Sequence, residues 1–230
     1  SSKQSDEFFF AKIGGEDVRF NIHDYDSLYQ HAWLYDIVLY KYLKCGTPSE
    51  IVSAMTEVWS SHDIDPSSIR MLEIGAGSGP FGQELKETVK VGHLVGLDIS
   101  PHARTAALRD RPTIYDDYLV ADLTALEAPD RDRLATAQLN CVGVASATGW
   151  GNHIPVAGFQ SAFEMLPSGG WFIFHVKPND PDPECIELCN WVETKAANGE
   201  MDQKYRRSHF HRNRSDGETI YYDVVIGRKT

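Results

Sequence analysis

From residue 69 onward, short and continuously apolar runs recur along this chain with amphipathic stretches between them. Ile69, Met71, Leu72 and Ile74 make the first run, and residues 93–98, 118–123, 137–145 and 171–176 make the next four. Runs this short and this apolar mark strands covered on both faces, and their alternation with helical stretches predicts a parallel sheet. The intervening helices are predicted over residues 80–90, 100–109, 155–166 and 182–198. Two last strands, 203–213 and 218–228, are joined by Ser215-Asp216-Gly217, a hairpin signal. Upstream the pattern differs. Residues 1–15 read as a polar-then-aromatic arm that ends in the turn Gly14-Gly15, and residues 20–60 read as helical. There Tyr25, Tyr29, Trp33, Tyr35, Tyr40 and Tyr42 lie among Leu28, Leu34, Ile37, Val38 and Leu39, several at spacings of three or four. A further helix over 50–61 points Ile51, Val52, Met55 and Val58 inward. The pattern divides the chain into an N-terminal helical extension or lid, residues 1–68, and an α/β domain, residues 69–230.

The first strand of that domain runs into Glu73-Ile74-Gly75-Ala76-Gly77-Ser78-Gly79 and then Pro80, which is tolerated in a helix's first turn. Glycines at alternate positions let the backbone turn sharply and approach a ligand with no Cβ in the way. A glycine-rich turn from strand to helix at the carboxyl edge of a parallel sheet is a nucleotide-type site. The spacing Gly77, Gly79, Gly82 satisfies the dinucleotide pattern G-x-G-x-x-G, so spacing alone leaves NAD open. Glu73 favours a ligand with a cationic amino group, because a carboxylate fits poorly beside a pyrophosphate.

The string 73–79 resembles the first motif of the class I S-adenosylmethionine-dependent methyltransferases. That resemblance, which extends over about residues 69–230, implies a Rossmann-like three-layer sandwich with a seven-stranded, mostly parallel sheet and an antiparallel C-terminal hairpin. It implies S-adenosylmethionine as cofactor, S-adenosylhomocysteine as product, and a binding set of Glu73, Gly75, Ala76, Gly77, Gly79, Asp98, Ile99, Asp122, Leu123 and Ala145. Asp98, at the end of the second strand, is placed to accept hydrogen bonds from ribose hydroxyls. Asp122 would meet the adenine amino group and Leu123 would line the ring. The turn Pro167-Ser168-Gly169-Gly170 before the fifth strand is a further likeness. The implied reaction is an in-line displacement on the sulfonium methyl by a small-molecule oxygen or nitrogen nucleophile. His153, in the loop after the fourth strand, is the candidate general base, with a near-neutral intrinsic pKa. Tyr25, Tyr29, Trp33 and Trp150, with His153, are candidates for the acceptor pocket.

Composition narrows the partners. The 230 residues carry a net charge of −11, which argues against a surface built to grip nucleic-acid phosphates. No Asn or Asp is followed by Pro-Pro-aromatic, the element with which amino-methyltransferases hold a planar nitrogen. Both observations point away from nucleic acid. No apolar run approaches the ~18 residues of a membrane span. The four cysteines form no metal-type pair and read as reduced thiols of a cytoplasmic protein, a monomer or homodimer. No metal is expected, since the loop after the fourth strand carries no carboxylates. The basic run of Lys204, Arg206, Arg207, Arg212 and Arg214, with His209 and His211, reads as a solvated hairpin or as an anchor for an anion. In a regular strand, Lys204, Arg206, Arg212 and Arg214 would share one face and Arg207, His209 and His211 the other. Two rivals remain: a silent cofactor-binding subunit, and a nicotinamide-dependent oxidoreductase.

Overall fold

The computed structural model describes residues 7–148 and 153–230. Its centre is a seven-stranded sheet in the order β5-β4-β3-β6-β7-β9-β8. Strands β3 (Arg70–Ile74), β4 (His93–Asp98), β5 (Asp117–Val120), β6 (Cys141–Val144) and β7 (Trp171–Val176) are parallel. Strand β9 (Thr219–Lys229) runs antiparallel to β7, and β8 (Met201–Asn213) closes the edge as its hairpin partner. The predicted sheet is therefore present.

Period-two alternation sends the strand side chains into two layers. Leu72, Ile74, Val142, Val144, Phe172 and Phe174 pack with Leu134 of α6 (Ala128–Thr136), Phe159 and Phe163 of α7 (Val156–Met165), and Leu188 and Val192 of α8 (Pro183–Ala197). On the other face Met71, Cys141, Trp171 and Ile173 meet α3 (Thr47–Ser61) and α4 (Pro80–Glu84, continued by a π-turn over Leu85–Val89). Helix α5 (Pro101–Asp110) starts at Ser100, whose side chain accepts from the amides of His102 and Ala103, an N-cap.

Several boundaries differ from those the sequence predicts. Strand β5 stops at Val120, so Asp122 lies beyond it, where its carboxylate accepts from the Thr124 amide at 2.8 Å and hydroxyl at 2.7 Å, an Asx turn. The fourth strand starts at Cys141 instead of residue 137; residues 137–140 are a turn that follows α6, a helix the pattern did not show. The N-terminal region is not wholly helical. It opens with a two-stranded sheet, β1 (Phe8–Ile13) and β2 (Glu16–Asn21), turning at Gly14-Gly15. Short helices α1 (Tyr25–Tyr29) and α2 (Leu34–Asp36, with a π-turn over Ile37–Tyr42) follow. This region packs its own apolar cluster, Phe20, Ile22, Leu28, Leu39 and neighbours, against Ala103 and Ala106 of α5.

The basic hairpin also departs from a regular strand. β8 carries register shifts between Gln203 and Tyr205 and between Phe210 and Arg212. A bulge inverts the side-chain alternation after it, and here it turns Arg212 inward beside His209 and His211, all three buried. Arg212 makes two hydrogen bonds to Glu7, at 2.6 and 3.2 Å, and the Ser215 amide donates to the same carboxylate at 2.7 Å. The other cations are also paired: Lys204 with Asp202, Arg206 with Asp223 and Glu193, Arg207 with Glu57, and Arg214 with Asp216 and Glu218. The anion-anchor reading of this run is therefore withdrawn.

Candidate active site

The loops after β3, β4, β5 and β6 all emerge at the carboxyl edge of the sheet. The chain winds from β3 to β4 and β5 on one side, then returns to β6 on the other. Ligands bind at such a switch point, in the crevice outside the strand ends. A cavity of about 720 Å³ opens there, within the range of small-molecule sites.

Its floor is the glycine turn. Gly75, Gly77 and Gly79 have φ of +65°, +56° and +91°, a region that side chains resist. The Gly77 amide donates to Asp98 Oδ2 at 2.9 Å, and the Ser100 amide donates to Oδ1 at 3.0 Å. These bonds hold the Asp98 carboxylate against the turn. Burial raises its pKa, and the backbone donors offset part of that rise. Of the predicted cofactor set, Glu73, Gly75, Ala76, Gly77, Asp98, Ile99, Asp122, Leu123 and Ala145 all line the cavity. Gly79 does not; it caps α4 just beyond the wall.

Glu73 sits on the α4 face of β3 and is buried to 2% exposure. Tyr115 Oη donates to its Oε2 at 2.9 Å. Burial pushes its pKa up to about 8, while the Tyr115 bond and the Arg111 charge pull the other way. A carboxyl raised above its ordinary 4.5 keeps its proton in the folded chain while the unfolded chain ionises. Stability therefore falls as pH rises from 4.5 to about 8, by up to roughly 1.4 kcal/mol per pH unit from this group. Glu73→Gln is expected to remove that slope. Urea unfolding across this pH range checks it; parallel profiles for the two proteins would refute the protonated Glu73.

The N-terminal region supplies the opposite wall. His23, Asp24, Tyr25, Asp26, Tyr29, Tyr35 and Tyr40 all face the cavity, and Tyr29 Oη occupies the space 2.5 Å from where a Gly77 Cβ would stand. Asp26 accepts a hydrogen bond from the Ser100 hydroxyl. Across the cavity His153 Nε2 lies 3.1 Å from Tyr25 Oη, which is itself 3.1 Å from His23 Nδ1. A phenol has one proton to give, so one of the two histidines presents its own N–H to Tyr25. Burial raises the Tyr25 pKa further, which keeps that phenol protonated.

Behind this trio His175, on β7, accepts from the Ser146 amide at 2.7 Å through Nε2. Burial, with His209 and His153 nearby, lowers its pKa well below the ordinary value. It is therefore neutral, with its proton on Nδ1. His209 and His211 share the Thr47 hydroxyl at 3.0 and 2.7 Å.

Two predicted acceptor residues fall elsewhere. Trp33 is a correction: it is 44% exposed, its amide donates to Asp110, and the Arg111 guanidinium lies 4.9 Å above its ring, away from the cavity. The spacing that put it beside Tyr29 assumed one helix, but the chain turns at Trp33 with φ +61°. Trp150 lies outside the described residues. Sequence reasoning missed His23, Asp24, Asp26, Tyr35 and Tyr40 as lining residues. Only their closeness to Tyr25 and Tyr29 along the chain could have signalled them.

No family model matches the sequence, and no curated protein matches it significantly. Solved structures do match. A SAM-dependent methyltransferase from Anabaena variabilis superposes with a TM-score of 0.58 at 13% identity, over 92% of this chain and 96% of that one. The N-methyltransferase NodS from Bradyrhizobium japonicum, in complex with S-adenosylhomocysteine, gives 0.53 at 16% identity, over 79% and 86%. A Pyrococcus horikoshii protein provisionally described as an RNA methyltransferase gives 0.57 at 13% identity, over 80% and 81%. At these identities the likeness speaks for architecture. The chain has the class I S-adenosylmethionine-dependent methyltransferase fold, with its glycine turn, Asp98 and Glu73 gathered at the carboxyl edge of the sheet.

Proposed function

We propose that this protein is a methyltransferase that transfers the methyl group of S-adenosylmethionine to a small molecule at oxygen or nitrogen. The observation that carries the reading is the two-sided cavity, with a glycine turn and carboxylates on one side and a wall of tyrosine and histidine on the other. The first side fits the cofactor. Asp98 would take the ribose hydroxyls, Asp122 and Leu123 the adenine, and Glu73 the amino group. The glycine turn leaves no Cβ between backbone and ligand. The bound cofactor supplies a sulfonium-activated methyl group.

The chain's own contribution is orientation, exclusion of water and proton removal. Holding the nucleophile in line with the methyl group is a proximity effect. Residues 7–43 form the lid in this reading, since their aromatic wall covers the glycine turn, while α3 packs on the sheet. His153 takes the acceptor's proton, and Tyr25 and His23 orient its ring. The second wall carries no lysine or arginine among the described residues, which supports a small molecule over nucleic acid.

Calorimetric titration with S-adenosylmethionine, S-adenosylhomocysteine and NAD tests the reading. Micromolar binding of both adenosyl ligands is expected, falling about tenfold or more in Asp98→Ala, which loses the ribose acceptor and leaves two amides unpaired. His153→Gln is expected to keep that affinity and lose turnover. Binding of NAD alone, or of none of the three, would overturn it.

A further inference from the structure

The cavity has a pronounced charge asymmetry. Five acidic side chains line it, the carboxylates of Asp24, Asp26, Asp98 and Asp122 and the protonated Glu73, and no lysine or arginine does among the described residues. Residues 149–152, Gly-Trp-Gly-Asn, bring no charged side chain either. Two buried cations stand behind its walls, and each is held by a carboxylate: Arg212 by Glu7 and Arg111 by Asp36. Beside Asp24 and Asp26, and across from the other acids, four tyrosine rings touch in series. Centroids are 6.4 Å apart for Tyr25 and Tyr29, 5.2 Å for Tyr29 and Tyr35, and 6.3 Å for Tyr35 and Tyr40. Aromatic faces attract cations and repel anions through the ring quadrupole. Tyr29 stands over the glycine turn and Tyr25 beside His153, so this wall spans both the cofactor floor and the acceptor side.

We propose that the acceptor is an organic amine that enters as its ammonium form, and that carboxylate and phosphate acceptors are rejected by charge. This inference rests on the methyltransferase reading above. A carboxylate or phosphate acceptor would have to sit beside Asp24, Asp26, Asp98 and Asp122 with no lysine or arginine to pair with, a juxtaposition of like charges that disfavours it. An ammonium ion meets tyrosine faces and the Asp24–Asp26 pair instead. The step balances. The ammonium gives one N–H proton to His153, and the freed lone pair forms a bond to the methyl carbon. The carbon–sulfur bond breaks with its electron pair left on sulfur. The products are an N-methylammonium and S-adenosylhomocysteine, and the proton on His153 leaves to solvent.

Three probes that share a phenyl group on a short chain test this: phenethylamine, phenethyl alcohol and hydrocinnamate. Each is titrated into the free protein and into the protein saturated with S-adenosylhomocysteine. The amine is expected to bind about tenfold or more tighter than the carboxylate in both. Added salt should narrow the gap. Asp24→Asn/Asp26→Asn, which keeps amide oxygens at both hydrogen-bonding positions, should narrow it too. Equal or tighter binding of hydrocinnamate would overturn the proposal, as would binding of none of the three to either form. Because the preference is also read in the cofactor-free protein, failure of S-adenosylhomocysteine to bind would overturn the methyltransferase reading alone.

Discussion

Arg212→Ala is expected to destabilise the protein by about 3–5 kcal/mol, because it leaves the Glu7 carboxylate buried without a cation. Both side chains are only 2% exposed. Burial on its own raises the Glu7 pKa. The Arg212 hydrogen bond and charge and the Ser215 amide outweigh that rise, and the net shift is downward. A depressed carboxyl stabilises the fold above its unfolded pKa, and that contribution is lost as pH falls through the folded value. The variant should therefore lose most at neutral pH and converge with the parent in acid. For a chain of this length the midpoint of thermal unfolding should fall on the order of 10 °C. The loss has a functional side, since Glu7 precedes β1 and Arg212 lies on β8, so the pair fastens the lid to the hairpin. The Gly46 amide donates to the His211 carbonyl and the Asn213 amide to the Leu43 carbonyl, adding two backbone ties along the same seam. Glu7→Leu/Arg212→Met removes both charges and is expected to recover much of the stability. Urea unfolding of the two singles and the double decides it. A loss below about 1 kcal/mol in Arg212→Ala would mean that the carboxylate finds water, a surface-like pair after all.

The second large effect belongs to the glycine turn. Gly75→Ala combines two penalties. Its φ of +65° is a left-handed conformation, which costs an alanine roughly 1–2 kcal/mol. A Cβ there would stand 2.5 Å from Ala147 Cβ, and a methyl that cannot rotate away adds about 1–3 kcal/mol of overpacking. Ala147 lies in the loop after β6, so the strain falls on the cavity floor and the loop that leads to His153. Adenosyl-ligand affinity is expected to fall with stability. Gly199→Ala isolates the first penalty, because its φ is +71° and nothing lies within 4 Å of the added Cβ. That variant should lose only about 1 kcal/mol and bind as the parent does. Equal losses in the two variants, with binding intact in both, would show that the turn at Gly75 needs its backbone angle and no close approach.

The strands that positioned the site were legible where burial was two-sided. β4 and β7 fall at 93–98 and 171–176, as their unbroken apolar runs predicted, because a central strand has no polar face to confuse the pattern. β5 was overrun because Ala121-Asp122-Leu123 continues its apolar pattern, while the Asp122 side chain turns the backbone locally instead. α6 went unseen because Leu134 is its only buried residue, too little for a helical period. β1 was read as part of an arm because its side chains alternate between exposed and half-buried; with β2 it gains its order from pairing and from the Phe20 and Ile22 contacts.

The sequence by itself determined the parallel sheet, the strand-to-helix glycine turn and the carboxylates at the strand ends. These features are local: a few consecutive residues contain the backbone requirement and the chemistry together. Tertiary structure alone decided which aromatics face the cavity, because a left-handed turn at Trp33 rotates it out while Tyr35 and Tyr40 stay in. It also decided that the bulge before Arg212 hides a cation that a regular strand would have shown to solvent. The meeting of Tyr25 with His153 across 128 positions is of the same kind. Such contacts arise from packing between distant segments, and no spacing along the chain records them.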